Sequence, residues 1–308
     1  MSAKRVGAIR LLIILSLVLL PACNQTPTEI TALPRAAGEI QKVLVDLTSL
    51  QPLDPAAEGI YHLWALLERS ESRSLGAFNI GAGGQMVDTS GAPISEFRSD
   101  EFALRETLGM LITIESEAEM PESPSGMQIL SGTFIEGVAR LTVPISSAIT
   151  SGSGSVRIFS PTDGPNTNET SGFWMVDANG DPSVFLPDTT AALVYEIFVD
   201  ISGSSLKVGR FDRTDQADDL CRFCVDARLA PERPGDDLLV NGPDGIVFPT
   251  SLAGTRITVS LEGRGNDFLS RSQLIVLEGF VPSSVTPEAI VPLINRSDSF
   301  PFGTAVLF

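Results

Sequence analysis

Short apolar runs with a two-residue period, separated by Gly, Pro, Ser, Asn and Asp, recur along the 308-residue chain. That is the pattern of β-strands joined by turns. Two of the runs are alike. "GIYHLWALLERSESRSLGAF" (residues 59–78) and "LVYEIFVDISGSSLKVGRF" (residues 193–211) each open on one of the chain's two tyrosines, Tyr61 and Tyr195. Alternation puts Tyr61, Leu63, Ala65 and Leu67 on one face of the first strand, and Tyr195, Ile197, Val199 and Ile201 on one face of the second. All eight are apolar or aromatic, so this face is expected to line a core. The other face carries His62, Trp64 and Leu66 in one copy and Glu196, Phe198 and Asp200 in the other. The polar stretches "ERSESRS" and "SGSSLK" are expected as hairpin loops. The glycines of "LGAF" and "VGRF" are expected to mark a bulge or the close approach of another strand.

Setting Tyr195 on Tyr61 also sets Phe198 on Trp64 and Asp188 on Asp54. With one residue deleted, "VGRF" falls on "LGAF". Further on, "RITVSLEG" from Arg256 falls on "LITIESEA" from Leu111, and "QLIVLEGF" ending at Phe280 falls on "QILSGTF" ending at Phe134. Order and spacing point to a duplicated unit. The expected fold is therefore all-β, with two tandem sandwich-like antiparallel β domains. The first covers residues 38–148 and the second 156–285. The Gly/Ser run "SGSGS" marks a linker over 149–155, and 286–308 form a C-terminal strand segment.

The N-terminus predicts an address. Lys4, Arg5 and Arg10 precede an apolar run from Leu11 to Leu20, too short to span a bilayer as a helix, so residues 1–22 read as an export signal. The run ends in "LPAC", which resembles a bacterial lipobox. The resemblance makes Cys23 the lipid attachment site and the first residue of the mature chain, followed by a flexible tether over residues 23–37. Several acyl chains would hold it on the membrane almost irreversibly. The alternative is a cleaved signal followed by a free cysteine. Asn24 rather than an aspartate follows the cysteine; in the Gram-negative lipoproteins that this start resembles, that permits transfer to the outer membrane.

The series "GxYxLW … LGxF … ITIE … PxG" (Tyr61, Leu63, Trp64; Leu75, Gly76, Phe78; Ile112 to Glu115; Pro124, Gly126) resembles the extracytoplasmic C-terminal domain of anti-sigma-K-type factors. The second copy, with "SPTDGPNTNETSGFWM" and "LPD…YEIFV…GRFD", resembles related domains of exported bacterial proteins. Such a factor joins a cytoplasmic sigma-binding domain to the exported domain through a membrane helix. Here a lipoprotein signal replaces both, so no residue is assigned to sigma binding and only the scaffold carries over. The function expected is a lipid-anchored, non-enzymatic envelope binding or sensing protein. The alternative is a component of an anti-sigma-type cell-surface signalling system.

The net charge of −17 excludes nucleic acid as a partner, because phosphates would be repelled. The partners expected are the membrane, through the lipid, and an envelope protein or glycan. No cofactor is expected. His62 is the only histidine, which excludes a multi-histidine metal site. A Ser–His–Asp triad is disfavoured because its counterpart is Glu196 and no "GxSxG" elbow occurs, leaving an exposed strand histidine. "CRFC" (Cys221, Cys224) lies in an acidic insertion of the second copy; with Cys23 lipidated, these two pair as a local disulfide in an oxidising compartment. A thioredoxin-like redox role lacks its βαβ context, and a zinc site would need two more ligands where only carboxylates are near. "DANGD" (Asp177, Asn179, Asp181) imitates half a calcium loop, but Pro182 and the missing closing Glu favour a hairpin turn. The ending "FPFGTAVLF" reads as a last packed strand rather than a membrane-barrel terminus. Trp64 and Phe198 share a repeat position on the face opposite the tyrosine stripe. They form a candidate binding surface, or they pack beneath covering chain, which is the stronger expectation for large apolar groups.

Overall fold

The computed structural model describes residues 42–116, 122–124, 127–219, 221–265 and 271–308. The expected export signal, tether and lipid attachment site Cys23 lie outside them. The first half contributes β1 (Lys42–Thr48), β2 (Ile60–Leu66), β3 (Ser72–Ile80), β4 (Met86–Val87), β5 (Glu96–Arg98), β6 (Gly109–Glu115), β7 (Met127–Ile135) and β8 (Val138–Thr142). The second contributes β9 (Ser153–Ile158), β10 (Gly172–Trp174), β11 (Val184–Phe185), β12 (Leu193–Ile201), β13 (Ser204–Phe211), β14 (Gly235–Asp237), β15 (Arg256–Gly263), β16 (Ile275–Phe280) and β17 (Ile290–Asn295). β18 (Phe302–Leu307) follows, and the helices among the described residues are single turns. Antiparallel pairing gives two sheets in the orders β4-β3-β2-β6-β7-β8-β18-β1-β5 and β13-β12-β15-β16-β17-β9-β10-β14, with β11 beside β9. Each sheet rolls on itself: β3 meets β5, and β13 meets β14. The result is two β-sandwich-like domains, each closed around its inner face.

The duplication is written in the registers. In the first copy Leu63 pairs with Gly76 but Trp64 pairs with Ser74, so Leu75 bulges. In the second, Ile197 pairs with Gly209 and Phe198 with Lys207, so Val208 bulges at the same place. Both bulges sit beside the glycines the sequence singled out. Gly76 needs its φ of +128°, while a side chain at Gly209 would run into the Asp218 carboxylate. A second matched pair follows: β6 and β7 slip between Ile112 and Thr113, and β15 and β16 slip between Val259 and Ser260. The two tyrosines also do one job. Tyr61 donates its hydroxyl to Gln51 O at 2.8 Å and Tyr195 to Pro187 O at 2.9 Å. Each ring stays in the core against a phenylalanine, Phe78 or Phe211, and each hydroxyl fixes the segment leading into its own strand.

Several expectations need correction. The frame of the repeat between β6 and β15 is shifted by two residues from the sequence alignment. Trp64 pairs with Leu111 and Phe198 with Thr258, so Thr113 matches Ser260 and Glu115 matches Glu262. The hairpin loops are shorter than expected, since Ser72 to Ser74 and Ser204 to Lys207 are already strand. The second turn is only Ser202–Gly203, both at positive φ, as a type I′ hairpin requires. Leu67 lies past the end of its strand.

The Gly/Ser run is not a free linker. Ser153 to Ser155 belong to β9, paired to β11 and β17, and a side chain at Gly154 would strike Val184. Nor do residues 286–308 form one separate C-terminal segment: β17 belongs to the second sheet and β18 to the first. β18 lies between β8 and β1, pairing Gly303 with Leu141 on one side and with Leu47 on the other. It fills in the first sheet the slot that β9 fills in the second. The first domain is therefore assembled from residues 42–142 plus 302–307, and the second from residues 153–295.

Candidate functional site

The connection from β13 to β15, residues 212–255, is where the second domain departs most from the first, whose equivalent runs over residues 81–108. It carries the cysteines and returns to the sheet as β14, a three-residue strand whose Gly235, Asp236 and Asp237 are all buried. Two adjacent carboxyls thus lie inside the domain. Asp237 is fully served: Oδ2 accepts from Thr162 N at 2.8 Å and Thr162 Oγ1 at 2.7 Å, and Oδ1 accepts from Trp174 Nε1 at 2.8 Å. Burial pushes this carboxyl upward against the pull of those donors.

Asp236 has poorer company. It accepts from Asp237 N at 2.8 Å and from Phe223 N at 3.3 Å. Its Oδ1 lies 3.1 Å from Cys224 Sγ. Burial, with the like charges of Asp218 and Asp237 adding to it, pushes its carboxyl up to about 8. Cys221 and Cys224 are joined as a disulfide with Cα atoms 5.3 Å apart, within the ordinary range for such a bridge. The two sulfurs and the Asp236 carboxylate lie within 4.8 Å of one another. Sequence reasoning found the cysteines and missed Asp236. Its signal was the acid pair of "GDDLLV", set directly against an apolar run.

A second site lies where the two domains meet. A cleft of about 260 Å³ is lined by Gln51, Leu53, Ile114 and Met127 from the first domain and by Glu262, Arg271, Gln273 and Ile275 from the second. Gln273 spans it, donating from Nε2 to the Tyr61 hydroxyl at 2.6 Å and accepting from Gln51 N at 2.9 Å. Glu262 Oε1 accepts from Ser260 Oγ at 2.5 Å and Ser272 N at 2.8 Å; burial nevertheless pushes its carboxyl up to about 7. The matching Thr113 donates to Glu115 Oε1 at 2.5 Å in the first copy.

Trp64 and Phe198 are both buried, so they offer no exposed recognition surface. Trp64 Nε1 donates to Thr113 Oγ1 at 2.9 Å, and the Arg271 guanidinium lies 6.0 Å from the Phe198 ring centre. The strand face opposite the tyrosine stripe is covered rather than wet.

His62, expected to be exposed, is buried there too, 4.3 Å from the Trp64 ring, and burial holds its imidazole below the ordinary histidine range. Its Nε2 is 2.7 Å from Ser74 Oγ, a pairing that invites a catalytic reading. The repeat argues otherwise. The same two positions in the second copy hold Glu196 and Lys207, an ion pair at 2.8 Å. Among the described residues His62 Nδ1 has no hydrogen-bond partner, so nothing there orients the ring as a base. The pair is a cross-strand polar contact. "DANGD" is a tight turn, with Asp177 Oδ1 accepting from Asn179 N at 2.7 Å and Asp181 N at 3.0 Å.

No family model matches the chain, and no curated protein or solved structure matches it.

Proposed function

We propose that this chain is a lipid-anchored envelope protein whose two β domains bind or sense a small polar partner in the cleft between them, without catalysing a reaction. The observation that carries the reading is the cleft itself. Both domains line it, and it presents the Arg271 guanidinium, the Glu262 carboxyl and the Gln51–Gln273 amides beside apolar Leu53, Ile114 and Ile275. Few polar groups set among apolar walls are what orient a ligand in a binding site. At about 260 Å³ it is smaller than the ~300–1,000 Å³ of sites for larger organic ligands. It therefore suits one terminal sugar or one peptide side chain of an envelope partner. The address rests on the "LPAC" resemblance and on the basic-then-apolar start.

Two experiments test this. Cys23→Ser should move the protein from the membrane to the soluble fraction; an unmodified mature N-terminus beyond residue 23 by mass spectrometry would overturn the anchor. Titration with soluble envelope glycan and peptide fragments should give binding that Gln51→Trp, which fills the cleft mouth, abolishes. Binding left intact by that variant would move the ligand site elsewhere. The resemblance to anti-sigma-K-type domains supports the second reading, a part in cell-surface signalling. A sigma factor and a membrane-spanning regulator encoded beside this chain would favour it.

A further inference from the structure

We propose that Cys221 and Cys224 form a reversible thiol–disulfide exchange site, in which an incoming thiolate attacks Cys221 and Asp236 protonates the departing sulfur of Cys224. This goes beyond the binding reading, and neither depends on the other.

Three observations carry it. First, Asp236 is wholly buried, and its Oδ1 lies 3.1 Å from a sulfur that, within a disulfide, has no proton to donate. That oxygen also accepts from Asp237 N and Phe223 N, but an ionised carboxylate would still be held against an acceptor-only sulfur with no proton between them. A carboxylic acid instead donates its O–H to the sulfur. The charged groups bearing on Asp236 are Asp218, from the segment after β13, and Asp237, from its own strand; both are acidic and favour the protonated form. Burial is the larger cause, and with these charges it outweighs the pull of the Phe223 and Asp237 backbone donors, so at neutral pH the proton is in place.

Second, the two sulfurs are unequal. Asp236 faces Cys224, so Cys224 is the better leaving group and Cys221 the sulfur to attack. Both cysteines are partly exposed, and Arg222 and Val225 around them are exposed, so a thiolate can reach the bridge.

Third, the fold does not need the bridge. It closes a loop too short to constrain the unfolded chain much, and other contacts hold the insertion. Phe223 is buried edge-on against Phe248 at 5.2 Å. Its carbonyl accepts from Leu239 N and Val240 N, and Val225 N donates to Thr162 Oγ1.

The step balances with a thiol as reductant. A thiolate RS⁻ attacks Cys221 Sγ and forms a mixed disulfide. The electron pair of the broken S–S bond goes to Cys224 Sγ, which takes the Asp236 proton and becomes a thiol. A second thiolate attacks the R-group sulfur, releasing RSSR and the Cys221 thiolate, and water restores both protons. Two thiols have been oxidised and one disulfide reduced. Run backwards, the dithiol reduces a disulfide.

The test uses the full chain and dithiothreitol, with the rate corrected to constant thiolate concentration and followed by alkylation and mass measurement. The wild type should be reduced with its far-ultraviolet circular dichroism unchanged. Its corrected rate should be level at lower pH and fall as pH rises through about 8, where Asp236 loses its proton. Asp236→Asn should be slower by about 100-fold below that pH, the lower end of what a positioned general acid contributes, and should lack the fall. Two further variants keep the test decisive if Asp236→Asn does not fold. Cys224→Ser should form a mixed disulfide with oxidised glutathione quickly, and Cys221→Ser slowly. Equal rates and pH profiles for wild type and Asp236→Asn, faster capture at Cys224 than at Cys221, or unfolding on reduction would each overturn the proposal.

Discussion

Replacing Glu262 with glutamine removes a proton equilibrium from the interior of the second domain, and the effect on stability should depend on pH in a defined way. Glu262 is 5% exposed, and its carboxyl is raised from 4.5 to about 7, first by burial and further by the charge of Glu196. At about 1.4 kcal/mol per pH unit, the difference between folded and unfolded chain is roughly 3 kcal/mol. The folded value lies above the unfolded one, so this stabilisation is fully present below about pH 4.5 and is lost as pH rises through about 7. Glutamine keeps the carbonyl oxygen that accepts from Ser260 Oγ and Ser272 N and cannot ionise. The wild type should therefore lose roughly 3 kcal/mol relative to Glu262→Gln between pH 4.5 and 8. Urea denaturation followed by tryptophan fluorescence at four pH values in that range measures it. Asp236 contributes its own decline to both proteins, so the difference between them isolates Glu262. A difference that does not change with pH would refute the reasoning.

Trp64→Ala and Phe198→Ala should each cost roughly 3–5 kcal/mol in urea denaturation, as buried aromatics do; unchanged midpoints would show that the face they share is not packed. Tyr195→Phe leaves the Pro187 carbonyl without its donor and should lower stability by about 1 kcal/mol, with no change in far-ultraviolet circular dichroism. Deleting residues 302–308 should abolish amide-exchange protection in β1 and β8 while leaving β12 and β15 protected. Gly303→Leu, whose side chain would strike Asp46 and Leu47, should weaken the same two strands. Uniform loss or uniform retention across both domains would contradict the strand order.

Periodicity made the strands, the core face and the duplication legible, and the special glycines located the bulges. What it could not resolve follows from what periodicity is. A slip of two residues keeps every side chain on its face, so alternation could not tell Thr258 from Ser260 as the counterpart of Thr113 in the repeat. Alternation also says which side chains share a face and not what covers that face, which is why His62 and Trp64 read as outward. Ser153 to Ser155 look like a linker by composition, yet their small side chains are what a tightly paired β9 requires beside Val184. Pairing between β18 and strands so distant in sequence leaves no local mark. The contact of Asp236 with Cys224 depends on a three-residue strand returning to the sheet, too short to show a period.

The placement of β18 sets an order of assembly. The second domain contains all of its own strands and can close alone, whereas the first must wait for a strand that comes after the whole of the second. A chain that emerges N-terminus first, from the ribosome or across a membrane, presents β8 and then the whole of the second domain before β18. Throughout that interval the facing edges of β1 and β8 have no partner, and open edges recruit other strands. The part of the chain made first is thus finished last, and its risk of misassociation is highest before the final strand arrives.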